Sequence, residues 1–185
     1  MKILSIITII IFAVFLMTNC FSDEADKCDK LTSKVTVRCG KKLEKEKQSL
    51  YFVGIGGRMK EAKIVEPYMG FQYWHEVSLE EGRELIVHIA QKYLTEFNND
   101  VKLRSCLCEY PFTAQRLHID IWFYKPDRSD PEPENIGFIT LYKGKISYKL
   151  ERKKDFFREL LHKETYEEAL EQLKKVSEKQ DSLPK

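Results

Sequence analysis

The chain predicts an α+β domain: a helix packed on an antiparallel sheet, with further helices at the C-terminus. Three observations carry this. Residues 78–97 hold one apolar stripe at helical spacing behind a capping signal. Residues 116–124 alternate strictly between apolar and polar positions. Two more short apolar runs flank Lys143-Gly144. One long helix followed by adjacent strands is the pattern of a two-layer sandwich.

The elements follow in order. Met1-Lys2 supplies one charge, and an apolar run from Ile3 to Met17 leads to Thr18, Asn19 and Cys20, after which the chain turns polar. A charged start, a greasy core and a small polar exit make an export signal. The core is shorter than the ~20 residues of a stable transmembrane helix, so a removed signal is expected over 1–19. Residues 20–48 read as a polar arm, partly ordered, holding one short strand where Lys34-Val35-Thr36-Val37-Arg38 alternates. The basic side chains Lys41, Lys42, Lys45 and Lys47 are interrupted by Glu44 and Glu46, as on a solvated tether.

A single α+β domain is expected over 49–178. Leu50–Val53 reads as a strand running into Gly54-Ile55-Gly56-Gly57, and Met69–Val77 as a second strand ending at Trp74-His75-Glu76. Ser78-Leu79-Glu80-Glu81 is a capping box, and Leu79, Leu85, Ile86, Ile89, Ala90, Tyr93 and Phe97 then share one helix face, with His88 opposite. Asn98-Asn99-Asp100 ends that helix. Lys102–Glu109 reads as a strand, Tyr110-Pro111-Phe112 as a turn, and Lys125–Asn135 as an acidic, proline-rich loop. In the strand Arg116–Tyr124, Leu117, Ile119, Ile121 and Phe123 face the core, while His118, Asp120, Trp122 and Tyr124 face away. Lys143-Gly144 has the length of a two-residue hairpin turn. At the C-terminus Phe156, Phe157, Leu160 and Leu161 define one helix, ended by His162. A fresh capping box at Thr165-Tyr166-Glu167-Glu168 opens another, with Tyr166, Ala169, Leu170, Leu173 and Val176 on its face. Residues 179–185 read as a frayed tail. Cystatin-like folds share this helix-on-sheet layout, a likeness of architecture that transfers no function.

Lys and Arg total 31 against 29 Asp and Glu, for a net charge of +2, with both signs interspersed. That argues against a nucleic-acid partner, which needs a basic stripe. Cys28, Cys39, Cys106 and Cys108 form an even set in an exported chain, so disulfides are expected. Cys28–Cys39, closing a short loop, is the candidate pair. The alternative pairs Cys106 and Cys108 each with one of the N-terminal cysteines. Direct Cys106–Cys108 closure is disfavoured on a strand, where alternate side chains stand about 7 Å apart.

No motif carries chemistry. Gly54-Ile55-Gly56-Gly57 lacks the third glycine of a dinucleotide loop, because Met59 stands there, and a bulge or tight turn explains it. His118 and Asp120, two apart on one strand face, are the pair to weigh for acid–base work, but nothing ties a nucleophile or metal to them. Cys106-Leu107-Cys108 lacks zinc-site spacing and a second matched pair. No catalytic residue, metal or cofactor is therefore expected. The leading expectation is a non-catalytic binding or structural domain whose candidate surface is Trp122 and Tyr124 with the acidic loop at 127–134. The alternative is a small exported hydrolase or thiol enzyme using His118 and Asp120, with Cys106 or Cys108. A third idea is an inhibitor that uses Leu50–Gly57 as an exposed wedge.

Met17-Thr18-Asn19-Cys20 resembles the end of a bacterial lipoprotein signal, where Leu, a small residue and Gly or Ala precede the cysteine. Gly54–Gly57, Leu79-Glu80-Glu81-Gly82-Arg83-Glu84-Leu85, Tyr110-Pro111-Phe112-Thr113 and Glu164–Ala169 likewise resemble segments of small bacterial lipoproteins and exported proteins of uncharacterised function. The resemblance implies acyl chains on Cys20, a domain held at the cell envelope outside the cytoplasm, and an envelope or extracellular protein as partner. Cleavage after Ser22, releasing a secreted protein, is the competing expectation.

Overall fold

The computed structural model describes the backbone of residues 2–151 and 158–181 and the side chains of 23–151 and 158–178. Its elements are α1 (Lys2–Glu46), β1 (Leu50–Lys60), β2 (Lys63–Tyr73), α2 (Leu79–Asn99), β3 (His118–Phe123), β4 (Ile136–Tyr142), β5 (Lys145–Leu150), β6 (Leu160–Thr165) and α3 (Tyr166–Asp181). The six strands lie side by side in chain order. Every pair is antiparallel except β2 with β3, which run parallel. The α+β class stands, and the antiparallel run is broken at one place for a plain reason. The 21 residues of α2, at about 1.5 Å each, span roughly the length of the sheet, so the chain returns to the end where β2 began.

The elements read most clearly in the sequence are the ones observed. Ser78 caps α2: its hydroxyl accepts from the Glu81 amide, and the Glu81 carboxylate accepts from the Ser78 amide. Leu85, Ile86, Ile89, Ala90, Tyr93 and Phe97 are all buried against the sheet. In β3, Ile119, Ile121 and Phe123 point into the same core. Lys143 and Gly144 have φ of 51° and 70°, the two positive values a tight hairpin turn requires. Thr165 caps α3 through Glu168, as its capping box predicts.

Five expectations are corrected. First, the polar arm is no spacer. α1 runs unbroken to Glu46, and Cys28, Val35, Cys39 and Leu43 join the hydrophobic core. With the buried Thr32 between the first two, those positions recur every three to four residues, a helical stripe that the local two-fold alternation at Lys34–Arg38 concealed. The packed domain therefore begins near Cys28 instead of residue 49. Contact with the sheet is close: a methyl on Gly40 would come within 2.4 Å of the Phe52 ring. The Thr36 hydroxyl and the Tyr93 hydroxyl, 2.8 Å apart, share a buried hydrogen bond between α1 and α2.

Second, the disulfide joins Cys28 to Cys106, leaving Cys39 as a buried thiol and Cys108 as an exposed one. Eleven residues of helix separate Cys28 from Cys39 by about 16 Å, far beyond disulfide reach. Burial pushes the Cys39 thiol up to about 12. Third, 102–109 is not a strand. Arg104–Cys106 is a short 3-10 turn that delivers Cys106 inward, with only one bridge from Leu107 to Ile64. Fourth, the first strand does not end at Val53 but runs on through Gly54–Gly57 to Lys60, with the expected bulge present beside Val53 and Gly57 at a positive φ of 152°. Fifth, Leu160 and Leu161 open strand β6, where His162 also lies, instead of ending a helix. Phe156 and Phe157 lie outside the described residues.

What holds β6 at its edge is a buried ionic cluster. Arg83 of α2 donates to both carboxylate oxygens of Glu164, at 2.8 and 3.1 Å, and the Tyr148 hydroxyl donates to the same group at 2.6 Å. On the surface, Lys42 and Arg38 of α1 bind Glu96 of α2. Burial works to raise the Glu96 carboxyl, but the hydrogen bonds from Lys42 and Arg38 outweigh it and hold it below the ordinary 4.5. Among the residues whose side chains are described, no helix is long and apolar enough to cross a membrane.

Two outcomes are expected. Glu164→Leu strands Arg83 in the interior and costs about 3–5 kcal/mol in denaturant unfolding, most of which returns in the Arg83→Met/Glu164→Leu double variant. Because the folded state lowers the Glu96 pKa, its stabilisation is complete above the ordinary carboxylate value and is lost as pH falls through the lower folded value. Glu96→Gln should therefore lower the urea midpoint at about pH 7, and the gap between variant and parent should shrink steadily as the pH is taken below the ordinary carboxylate range.

Candidate functional site

α1 and α2 pack on one face of the sheet, and strand alternation sends every second side chain to the other. The register lays these out in rows. One row runs Gly56, Tyr68, His118, Tyr142 and Lys145. The next holds small or short side chains: Gly54, Gly70, Asp120, Thr140 and Ser147. The third is Tyr51, Gln72, Trp122, Phe138 and Lys149. Rings thus flank a low central row.

The rings touch in series. His118 sits between Tyr68 and Tyr142, with centroids 4.9 and 5.0 Å away. Trp122 lies against Phe138 at 5.6 Å, and Tyr51 against Trp74 at 3.9 Å. Cations crown them: Arg128 stands 4.2 Å above Trp74, Lys149 and Arg158 stand at 5.6 and 5.1 Å from Phe138, and Lys143 stands 5.1 Å from Tyr142. Arg128 brings the loop expected at 125–135 onto this face. The loop folds on itself through Ser129 bonding Asp127 and through the Lys125–Glu132 ion pair.

Asp120 lies at the centre. The absence of a side chain at Gly70 lets two rings converge there: a methyl on Gly70 would meet the Tyr68 hydroxyl at 2.7 Å and Trp122 Cζ3 at 3.2 Å. Only 14% of the Asp120 side chain is left exposed. Its Oδ1 is buried and, among the described residues, has no hydrogen-bond partner. His118 Nε2 stands 3.3 Å from that oxygen, close enough for an ion pair if the imidazole is protonated. Burial, with the Asp120 charge adding to it, pushes the Tyr68 phenol up to about 12, so it remains a neutral hydroxyl. A buried carboxylate oxygen without a donor is costly, and His118 is the neighbouring group able to offset that cost when its imidazole carries a proton.

Of the residues singled out in the sequence, His118, Asp120 and Trp122 are brought together on this face. Trp122 is half-buried among rings instead of projecting. Tyr124 is half-buried just past β3, its amide donating to the Tyr73 carbonyl at 3.0 Å. Cys106 is consumed by its bond to Cys28 and has no thiol to offer. Sequence reasoning missed Tyr68, Phe138 and Tyr142. The signal was present in the alternation of Phe138, Thr140 and Tyr142, but which strands pair beside β3 is a tertiary fact.

A second concavity, of about 440 Å³, opens at the other end of the helix layer among Glu46, Tyr73, His75, Glu76, Glu84 and His88. Its His88 reaches Glu46 at 3.6 Å, in line with the solvated position expected for that residue. Among the described residues no group of three or more His, Cys, Asp or Glu side chains is placed to hold a metal ion. No family model, no curated protein and no solved structure matches this chain.

Gly70→Ala should force Tyr68 or Trp122 aside. The expected result is a red-shifted tryptophan emission and a loss of about 1–3 kcal/mol in chemical unfolding, the usual cost of overpacking. An unchanged spectrum would mean the two rings do not close over this glycine.

Proposed function

We propose that the protein is an envelope-tethered lipoprotein with a non-catalytic binding domain that works through the uncovered face of its sheet. The observation that carries the binding reading is the pair of ring rows around Asp120 on a face no described element covers. Rigid aromatic side chains contribute binding energy at little entropic cost. The partner is an envelope or extracellular protein.

Support for the location comes first from the signal-like residues 1–19 and from Cys20 at the position of acylation. The Cys28–Cys106 bond adds to it, since such crosslinks persist in oxidising compartments outside the cytoplasm. Several acyl chains on one residue hold a protein firmly to a bilayer. Secretion after a cut following Ser22 is the competing placement. A small exported hydrolase using His118 and Asp120 is the competing activity, favoured by their 3.3 Å approach.

Two measurements test this. The intact mass of membrane-purified protein should show acyl mass on Cys20 that a Cys20→Ser variant loses; an unmodified chain starting at Asp23 would make the protein a secreted one. In Trp122→Ala the domain should stay folded, within about 1 kcal/mol of the parent as for a surface position, while a photo-crosslinker at Tyr51 in intact cells loses its adduct. Unfolding of Trp122→Ala would show instead that this residue is core.

A further inference from the structure

Resting on the reading of Cys20 as the anchor, we propose that the end of the domain where α1 enters the fold docks on an anionic bilayer surface. α1 arrives at one identifiable end of the sheet. Cys28 is bonded to Cys106, and Glu24 pairs with Lys63 at the start of β2, at 3.8 Å. Cys20 lies eight residues before Cys28 on the same helix, about 12 Å along its axis. An anchor there leaves this end of the domain within about one to two Debye lengths of the lipid headgroups.

The side chains around that point suit a lipid interface. Val101, Tyr110 and Tyr142 are three of the large apolar side chains left in solvent, at 70%, 52% and 39% exposure. Val101 flanks a cleft with Leu31 and Lys34 of α1. Tyr110 adjoins Glu109, which lines a second cleft together with Lys143 of the β4–β5 turn, so the three belong to one end. Each exposed ring has a cation beside it: the Arg104 guanidinium lies 4.7 Å from Tyr110, and Lys143 Nζ lies 5.1 Å from Tyr142. Amphipathic rings with basic neighbours are what membrane–water interfaces select.

Charge sets the lipid. At this end Lys60, Lys63 and Arg116 are matched by Glu61, Glu24 and Glu109. Along the entering helix Lys27, Lys30 and Lys34 offset Asp23, Asp26 and Asp29. Lys102, Arg104, Lys143 and Lys145, without ion-pair partners among the described residues, outnumber Glu167 and Glu168 at the start of α3 and leave a small positive surplus. The opposite end gathers Glu46, Glu76, Glu81 and Glu84, with Lys47 beside them and Lys92 paired to Glu46 at 3.2 Å. The unpaired cations of the domain's entry end are thus Lys102, Arg104, Lys143 and Lys145, next to the exposed rings of Tyr110 and Tyr142. An anionic surface attracts such a group of unpaired cations.

The test uses the full chain, reconstituted into vesicles of phosphatidylcholine alone or with one-third phosphatidylglycerol, and hydroxyl-radical footprinting of its aromatic side chains. Tyr110 and Tyr142 should be oxidised several-fold less in the anionic vesicles than in the neutral ones, with Tyr51 and Trp74 equal in both. Lys102→Glu/Lys143→Glu should abolish that difference, since each basic side chain is worth about five-fold in partition to such a surface. Equal oxidation of Tyr110 and Tyr142 in the two lipids, or protection that survives the charge reversal, would overturn the proposal. So would protection that rises with protein density at constant lipid charge, which would assign the surface to a second copy. Absence of acyl mass on Cys20 would fail the anchor reading separately. The free chain is then floated with the same vesicles: flotation with anionic lipid alone sustains the docking surface, and none overturns it.

Discussion

The covering of one sheet face by α2 is the constraint on which the rest of this structure depends. A helix of this length retraces the sheet and forces β3 to start where β2 starts, which makes the one parallel pair in an otherwise antiparallel sheet. It also commits every strand to a single register, because a slip of one residue would send the core face of β3 into solvent. Leu85, Ile86, Ile89, Tyr93 and Phe97 meet Phe71, Ile119, Ile121, Ile139 and Tyr148 in one continuous core. With only one face buried, the other must be tolerable in water without being empty. Rings crowned by lysine and arginine meet that demand.

α1 completes the layer in an unusual way. Its buried stripe is built from Cys28, Thr32, Val35, Thr36, Cys39 and Leu43, modest apolar groups in a strongly charged segment. Such a stripe drives little burial alone, and the helix is secured by several different means. These are the bond from Cys28 to Cys106, the hydroxyl pair Thr36–Tyr93, the close approach at Gly40, and the ion pairs to Glu96. The chain between the apolar start and the core is consequently short.

The Arg83–Glu164–Tyr148 cluster serves a different end. A buried ion pair contributes little net stability but strongly penalises any arrangement that separates its members. Here its members come from α2, β5 and β6, so it specifies how the last strand sits against the first layer. Leu160 and Leu161 remain exposed on that strand, and hydrophobicity alone would not have placed it.

What the sequence by itself determined are the elements governed by short-range rules. The capping boxes at Ser78 and Thr165 act within one helical turn, the alternation of β3 depends only on its own residues, and the Lys143-Gly144 turn is set by loop length. These were legible because their physics is local. The tertiary structure decided the rest. Lys34–Arg38 is helical because sixteen residues of stripe against a sheet outweigh five residues of β-like alternation. Leu160–Thr165 is a strand because β5 offers an open edge and Arg83 a counter-charge, neither of which lies nearby in the chain. Cys28 pairs with Cys106 because a helix holds Cys39 away from it. The candidate site divides the same way. His118, Asp120 and Trp122 could be placed on one face from their spacing, whereas Tyr68, Phe138 and Tyr142 joined them only through strand pairing. The bare backbone of Gly70, which lets two rings close over a carboxylate, has no meaning until those strands meet.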